Sequence, residues 1–540
     1  MTGDQVNAAP AAPEEHAVLI VGAGPVGATL ALELAHHGVP STVIESSTTV
    51  SAHPKMDFIN GRSMELLRRL GVAEEIRRRG VAPDEPFNFL WTVEPDRPPV
   101  SVWEYPSVEG MRSRYAGAED GSAPLEPYQR LQGSLLEDVL RGRLREHPLV
   151  DLRAGWTLKD LQDHGDVVEA VVYDEAEGTE RTVRADYLVG CDGGGSTVRR
   201  KAGIETEQSG PATRHCDVYF RSTDPALLRN GKFFLTIAAG GVTLVNRDGE
   251  GTWTGTFVVP EGEPEPAEPL AAVKQGLGFD FEVDEVINVA HWYGRLAVAT
   301  AYRSGRVFLA GDAAHQFYPT GGHGANTGLG DACDLGWKLA AVLNGWGGPA
   351  LLDAYEAERR PVALFNREMC ANLLAVWIRF PRLAALGATR PQLAAYLGKE
   401  SFQIDNVGIH FGYRYNASPI VAHETGPEPD WQWQAITPTT WPGGRPPSVR
   451  ADDGTALFDR LGEELTLVDL SGENRGKALA DQARDKGLPL TLLTVDPTGV
   501  RAVWERDLVL LRPDQHVAWR GNEAPAPQAW NDLLDRISGA

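Results

Sequence analysis

The chain has 540 residues, 42% of them hydrophobic, with Lys+Arg 51 against Asp+Glu 74 and a formal net charge of −23. That length exceeds one core, so two or three domains are expected, and the charge argues against nucleic acid or an anionic membrane as partner. Four scattered cysteines (Cys191, Cys216, Cys333, Cys370) form no CxxC pair, which fits a reduced cytoplasmic protein, and no metal site is expected.

The chain opens on MTGDQVNAAPAAPEE, acidic and Pro/Ala-rich. It lacks the basic start and apolar core of a signal peptide, so a loose tail is expected. No apolar run approaches the length of a membrane span. Residues 17–21 read as a short apolar strand, followed at once by GAGPVG at 22–27. A helix through Leu30 and Leu34 ends near Gly38, and a second strand, 41–44, stops at Glu45. Strand, GxGxxG turn, helix and terminal acid together predict a dinucleotide-binding βαβ unit. Gly22 allows the tight turn, Gly24 allows close approach to a pyrophosphate, and Gly27 lets helix and strand pack. Pro25 and Val26 fill the turn, and Glu45 is expected on a ribose hydroxyl.

Residues 81–125 are Pro-rich and irregular, read as strands and loops of a substrate-facing layer. Runs at 217–220, 232–237, 242–245 and 253–259 alternate apolar and polar residues, the pattern of an antiparallel sheet. Such a sheet would wall a pocket, with Tyr219, Phe234 and Trp253 as candidate lining residues for a substrate.

The densest signal is RSGRVFLAGDAAHQFYPTGGHGANTGLGDACDLGWKLAAVLNG at 303–345. An apolar strand at 307–310 runs into Gly311-Asp312. A glycine-dense loop carries Pro319, Gly322, Gly324 and Ala325. An amphipathic helix is expected from about Asn326, with Leu329, Ala332, Leu335 and Leu339 at helical spacing. Asp312 can accept hydrogen bonds from a hydroxyl chain, glycines let the backbone approach a flat ring, and unpaired N–H groups at the helix start favour negative charge. This suits a large polar cofactor with an anionic end. Residues 362–400 look helical, and 416–450 read as a Pro/Gly/Trp linker.

The stretch from GDAAH to WKL, continuing through 351–361, resembles the second FAD motif of the flavin-dependent aromatic hydroxylases. That family includes p-hydroxybenzoate, phenol and polyketide hydroxylases. Asp192-Gly193, with Ser196 and Arg199, resembles the family's DG motif. The helix start around Arg62 and the one around Gln132, with Arg130 before it, resemble two further flavin-contacting segments. The resemblance therefore implies cofactor contacts at Arg62, Arg130, Gln132 and Asp192, beside those at Gly311, Asp312, Pro319, Gly322, Gly324, Ala325 and Asn326.

Fold and activity follow from the same resemblance. It implies an α/β fold: a Rossmann-like FAD-binding domain (15–204 and 295–415) with an inserted antiparallel-sheet substrate domain (205–294, with parts of 81–125). After the linker, residues 451–540 resemble the thioredoxin-like C-terminal domain of phenol and polyketide hydroxylases, here without CxxC and so a structural unit or an oligomer surface. The implied protein is a monomer or homodimer with non-covalent FAD. NADPH or NADH would reduce the flavin, O2 would form a C4a-hydroperoxide, and one oxygen would pass to a phenolic or polycyclic aromatic of polyketide type. Asp57 stands at the offset of a substrate-facing aspartate in phenol hydroxylase, which makes it the candidate catalytic base. The rival readings are Baeyer–Villiger or ring-cleaving oxygenation by the same flavin, and a non-catalytic flavin-binding partner subunit.

Overall fold

The computed structural model describes residues 14–451 and 453–540; residues 1–13 of the expected tail lie outside them. The first strand, Glu14–Val21, pairs in parallel with Ser41–Glu45 on one side and Thr179–Gly190 on the other. Val307–Leu309 extends this parallel sheet beyond Thr179–Gly190, and Val150–Ala154 beyond Ser41–Glu45. A parallel sheet must be covered on both faces. Helices Pro25–His36, Gly133–Glu146 and His323–Leu343 bring Leu30, Leu34, Leu136, Leu140, Leu329 and Leu335 into its core. The last of these helices starts at His323, three residues before the expected position.

A seven-stranded sheet forms the second layer. Its order is Glu285–Gly294, Thr213–Arg221, Thr252–Val259, Val242–Asn246, Leu235–Ala238, Phe89–Thr92, Ser101–Trp103. Two strands come from the 81–125 segment, and Leu235–Ala238 pairs with Phe89–Thr92 in parallel. One face carries Cys216, Val218, Phe220 and Trp253 against Val273 and Leu277 of the helix Pro269–Leu277. The other face looks toward the first sheet. The edge strand Glu285–Gly294 escaped the sequence pattern because neither of its faces is regularly buried.

The expected helical stretch at 362–400 is two helices, Ala350–Ala385 and Arg390–Glu400. The first carries Pro361 and Pro381 inside it and sets Leu373, Val376 and Phe380 against Trp91, Trp103 and Ile237. The expected linker at 416–450 lacks helix or strand but is not a free tether. Thr440, Trp441 and Arg445 are buried. The Thr440 hydroxyl donates to the Trp504 carbonyl at 2.6 Å, and Arg445 Nε donates to Glu65 at 2.8 Å. Its Pro/Gly/Trp content reads as a linker, but Thr440 and Arg445 tie it to both neighbours.

The C-terminal unit is a parallel β-α-β of Leu465–Asp469, Gly476–Asp485 and Leu490–Thr494. Leu508–Leu511 and Val517–Gly521 then add in antiparallel fashion, and Pro527–Ser538 packs Trp530, Leu534 and Ile537 beneath. No helix of the described residues is long and apolar enough to cross a membrane.

Candidate functional site

One cavity of about 1930 Å³ runs between the two sheets. It is wider than a single small-ligand pocket of roughly 300–1,000 Å³. At one end it reaches the GAGPVG turn and Trp156. At the other it reaches the inward face of the second sheet.

The turn is built for an anion. Gly22 sits at φ +103°, a region that other residues avoid. A Cβ at Gly27 would stand 2.0 Å from the Gly22 carbonyl oxygen, so only glycine lets helix and strand meet. A Cβ at Gly24 would meet nothing within 4 Å, so backbone faces open space there. The helix Pro25–His36 has Pro25 in its first turn and no side-chain cap, which leaves its N–H groups to a ligand. Pro25, Val26 and Glu45 also line the cavity. Glu45 accepts from Ala23 N–H at 2.9 Å and meets Arg141 at 3.2 Å.

The glycine loop forms a further part of the wall. Gly321 and Gly322 adopt φ +78° and +67°, and the helix they open has no side-chain cap. Asp312, Pro319, Gly322, Gly324 and Ala325 line the cavity. The Asp312 side chain is exposed to the cavity and makes no hydrogen bond among the described residues, and the protein packed around it raises its pKa through partial desolvation. Asp331 holds the turn beneath it: it accepts from Gly311 N–H at 3.1 Å, pairs with His315 at 2.7 Å and takes Arg359 Nε at 2.8 Å. If the free carboxylate partners a bound cofactor, Asp312→Ala should lower FAD affinity by roughly 1–3 kcal/mol with the far-UV CD unchanged. An unchanged FAD titration would show that Asp312 only shapes the loop.

Several expected cofactor contacts fall elsewhere. Gly311 is not on the wall; it packs against Val26 beneath the loop. Asn326 stitches the loop instead, accepting from Asn60 N–H at 2.9 Å and donating to the Phe58 and Gly322 carbonyls. Arg62 turns away from the cavity to Glu65, Gln515 and the Asp514 carbonyl, because the C-terminal unit docks on that helix. Asp192 does line the cavity, but its carboxylate is engaged at the start of the helix Thr197–Lys201, accepting from Ser196 Oγ at 2.6 Å and from two N–H groups. Gln132 accepts from the Tyr219 hydroxyl at 2.9 Å, and Arg130 reaches the substrate-side wall.

That wall forms a chamber. Asp57 is buried, with Oδ2 at 3.3 Å from Arg130 and Oδ1 without a partner. Desolvation raises its pKa, although Arg130 and Arg247 oppose the shift. Arg130 lies 4.5 Å over the Phe234 ring, which stacks on Phe87. His53 meets Asp217 at 2.9 Å. Burial would raise the Asp217 pKa, but hydrogen bonding, His53 foremost, brings it below the ordinary value. Of the three aromatic candidates, Phe234 lines the cavity. Tyr219 shares its face but is tied to Gln132. Trp253 lies on the opposite face, in the core, and its indole N–H donates to the Ser222 carbonyl at 3.0 Å.

The sequence left Arg141, Arg247 and the His53–Asp217 pair unmarked. Arg141 had a signal: it pairs with Glu137 at an (i, i+4) spacing on one helix face. The others sit on separate strands and loops with no motif around them.

Comparison with known proteins agrees with this geometry. The FAD binding domain family matches residues 15–366, and the family described as aromatic-ring hydroxylase, C-terminal, matches 439–540. The chain is 35% identical to the FAD-dependent monooxygenase apdD of Emericella nidulans, over 97% of this chain and 90% of that protein. It is 32% identical to aklavinone 12-hydroxylase RdmE of Streptomyces purpurascens, over 95% of this chain and 96% of that one. The solved structure of the flavin-dependent monooxygenase PieE with FAD and substrate superposes with a TM-score of 0.88 at 27% identity, covering 98% of this chain and 100% of that chain.

Proposed function

The chain belongs to the class A flavoprotein aromatic hydroxylases, FAD-dependent monooxygenases, and from that premise we propose that it uses NAD(P)H and O2 to hydroxylate a phenolic, polyketide-type aromatic. The observation that carries this reading is the continuous cavity, with an anion-binding turn at one end and a chamber holding Asp57 at the other.

The residues present fit FAD. The open backbone at Gly24 and the uncapped helix Pro25–His36 would hold its pyrophosphate, Glu45 its ribose, Asp312 its hydroxyl chain and the loop 321–325 the edge of its ring. When bound and reduced, FAD would supply the electrons that activate O2, from which the transferred oxygen atom comes. The uncapped helix His323–Leu343 favours negative charge beside the loop. Asp57 takes the phenol proton, directly or through one water, which makes the ring a better nucleophile. Phe234, Phe87 and Leu235 give the chamber an apolar lining that keeps water from the reacting atoms. RdmE, an aklavinone hydroxylase by name, supports a polycyclic substrate. We read the C-terminal unit as thioredoxin-like on its β-α-β order and antiparallel hairpin. It carries no cysteine, so its part is structural.

Among the described residues, no second strand–turn–helix unit of the GxGxxG type stands ready for a nicotinamide dinucleotide: after the strand Thr179–Gly190 the helix is only Thr197–Lys201. The pyridine nucleotide must dock transiently. NADPH consumption by the FAD-loaded protein should therefore be slow alone and accelerate when an accepted polycyclic phenol is added, giving a product heavier by one oxygen. Equal stopped-flow rates with and without phenol, or no oxygenated product from any phenol tried, would count against this reading.

A further inference from the structure

Among the described residues, Arg247 is a buried cation of the chamber whose guanidinium is only partly matched. Arg247 is 7% exposed and lines the cavity just past the strand Val242–Asn246. Its Nε donates to Thr254 Oγ1 at 2.9 Å, which fixes the guanidinium. Its two terminal nitrogens make no hydrogen bond or ion pair among the described residues, and they open onto the cavity and are not sealed in protein. The neighbouring charges are already matched: Arg130 to Asp57 at 3.3 Å and His53 to Asp217 at 2.9 Å. The titratable groups whose fields act on Arg247 are Asp57, Asp217, Arg130 and Tyr219. A guanidinium this deep is costly without a partner. Its planar fork suits an oxyanion, alone or beside a carbonyl.

We propose that Arg247 binds the phenolate or enolate oxygen of the substrate, so that the enzyme selects acidic phenols and enols. This deepens the hydroxylase reading and rests on it. In the step implied, the substrate O–H bond breaks, the proton goes to the Asp57 carboxylate, and the electron pair stays on the oxygen that Arg247 holds. Arg247 sets which substrates are accepted; Asp57 sets how fast they ionise.

The probe is 4-nitrophenol, whose ionised form is read by difference absorbance against the FAD-loaded protein. Wild type should bind the phenolate in preference to the neutral phenol and lower the probe's apparent pKa. Arg247→Leu should bind phenolate about 10–100-fold more weakly and return the pKa to its free value, with flavin content unchanged. Arg247→Lys should recover part of the affinity. If Arg247→Leu does not fold, Arg247→Gln decides on the same readout. Wild-type affinity for phenolate in a folded, flavin-loaded Arg247→Leu overturns the proposal, as does a wild type that prefers neutral phenol or binds no probe. Wild type that binds phenolate through Arg247 yet yields no oxygenated product from any phenol upholds the arginine's role and sinks the hydroxylase reading.

Discussion

Asp57→Asn should hydroxylate about 10²–10⁴-fold more slowly than wild type if proton transfer limits the rate. The substitution keeps the shape and a hydrogen-bond acceptor beside Arg130, and removes the basicity together with the charge paired to that arginine. FAD content should stay the same. NADPH consumption should fall far less than product, so peroxide should rise. At high pH, where the substrate ionises unaided, part of the loss should return. Stability supplies an independent check with a definite sign. Burial raises the Asp57 pKa in the folded state. Its stabilising contribution is therefore present below the ordinary aspartate value and lost as pH rises through the raised one. At neutral pH the ionised, desolvated carboxylate costs stability, so Asp57→Asn should melt no lower than wild type there and lose that advantage in acid. Wild-type hydroxylation at every pH in Asp57→Asn would make Asp57 a loop acid and nothing more.

Much of the nucleotide end was legible because local chain geometry dictates it. Gly22 is fixed by its turn and Gly27 by a packing contact within the same βαβ unit, and Gly24 leaves the backbone between them open. Asp312 and the loop at 321–325 follow the same logic. The chamber was not legible, because it depends on strand register. Thr213–Arg221 pairs with Thr252–Val259 so that Tyr219 faces Thr254 and Phe220 faces Trp253. Paired residues share a face, so Tyr219 looks inward and Trp253 outward. A one-residue slip would exchange them, and alternation within each strand gives no hint of which pairing holds. Arg247 was hidden for a related reason: one arginine at a strand end is ordinary until the fold shows that its two terminal nitrogens have no partner among the described residues. Arg62 fails differently. Its neighbours Gln515 and Asp514 lie 452 or more positions away, in a unit whose docking site no local pattern encodes.

That docking site yields the second large effect. Arg512→Met should destabilise the folded chain by about 3–5 kcal/mol, since removing one member of a buried ionic cluster strands the others. Arg512 is fully buried in the C-terminal unit. It donates to Glu358 Oε1 at 2.6 Å and Oε2 at 2.8 Å, to Asp334 at 2.9 Å and to Asp514 at 2.6 Å. Lys338 bridges Asp334 at 2.7 Å and also reaches Glu358. Asp334 and Lys338 belong to the helix His323–Leu343, whose first turn shapes the cavity. Loss of Arg512 should therefore loosen the C-terminal unit, seen by limited proteolysis, and weaken FAD binding without any contact to FAD. The pH dependence has a sign too. Burial alone would raise the Glu358 pKa, but Arg512 and Lys338 outweigh it and hold the group below its ordinary value. Its stabilising contribution is thus present at neutral pH and lost as pH falls toward the folded value. In Arg512→Met the stranded carboxylates can escape by protonation, so the stability gap from wild type should narrow between pH 7 and about pH 4. Adding Glu358→Gln and Asp514→Asn should restore part of the stability at pH 7, because the cost lies in uncompensated charge. A gap that stays constant with pH, or no recovery in the triple variant, would mean that Arg512 acts by filling space between Trp337 and Tyr415 and not by balancing charge.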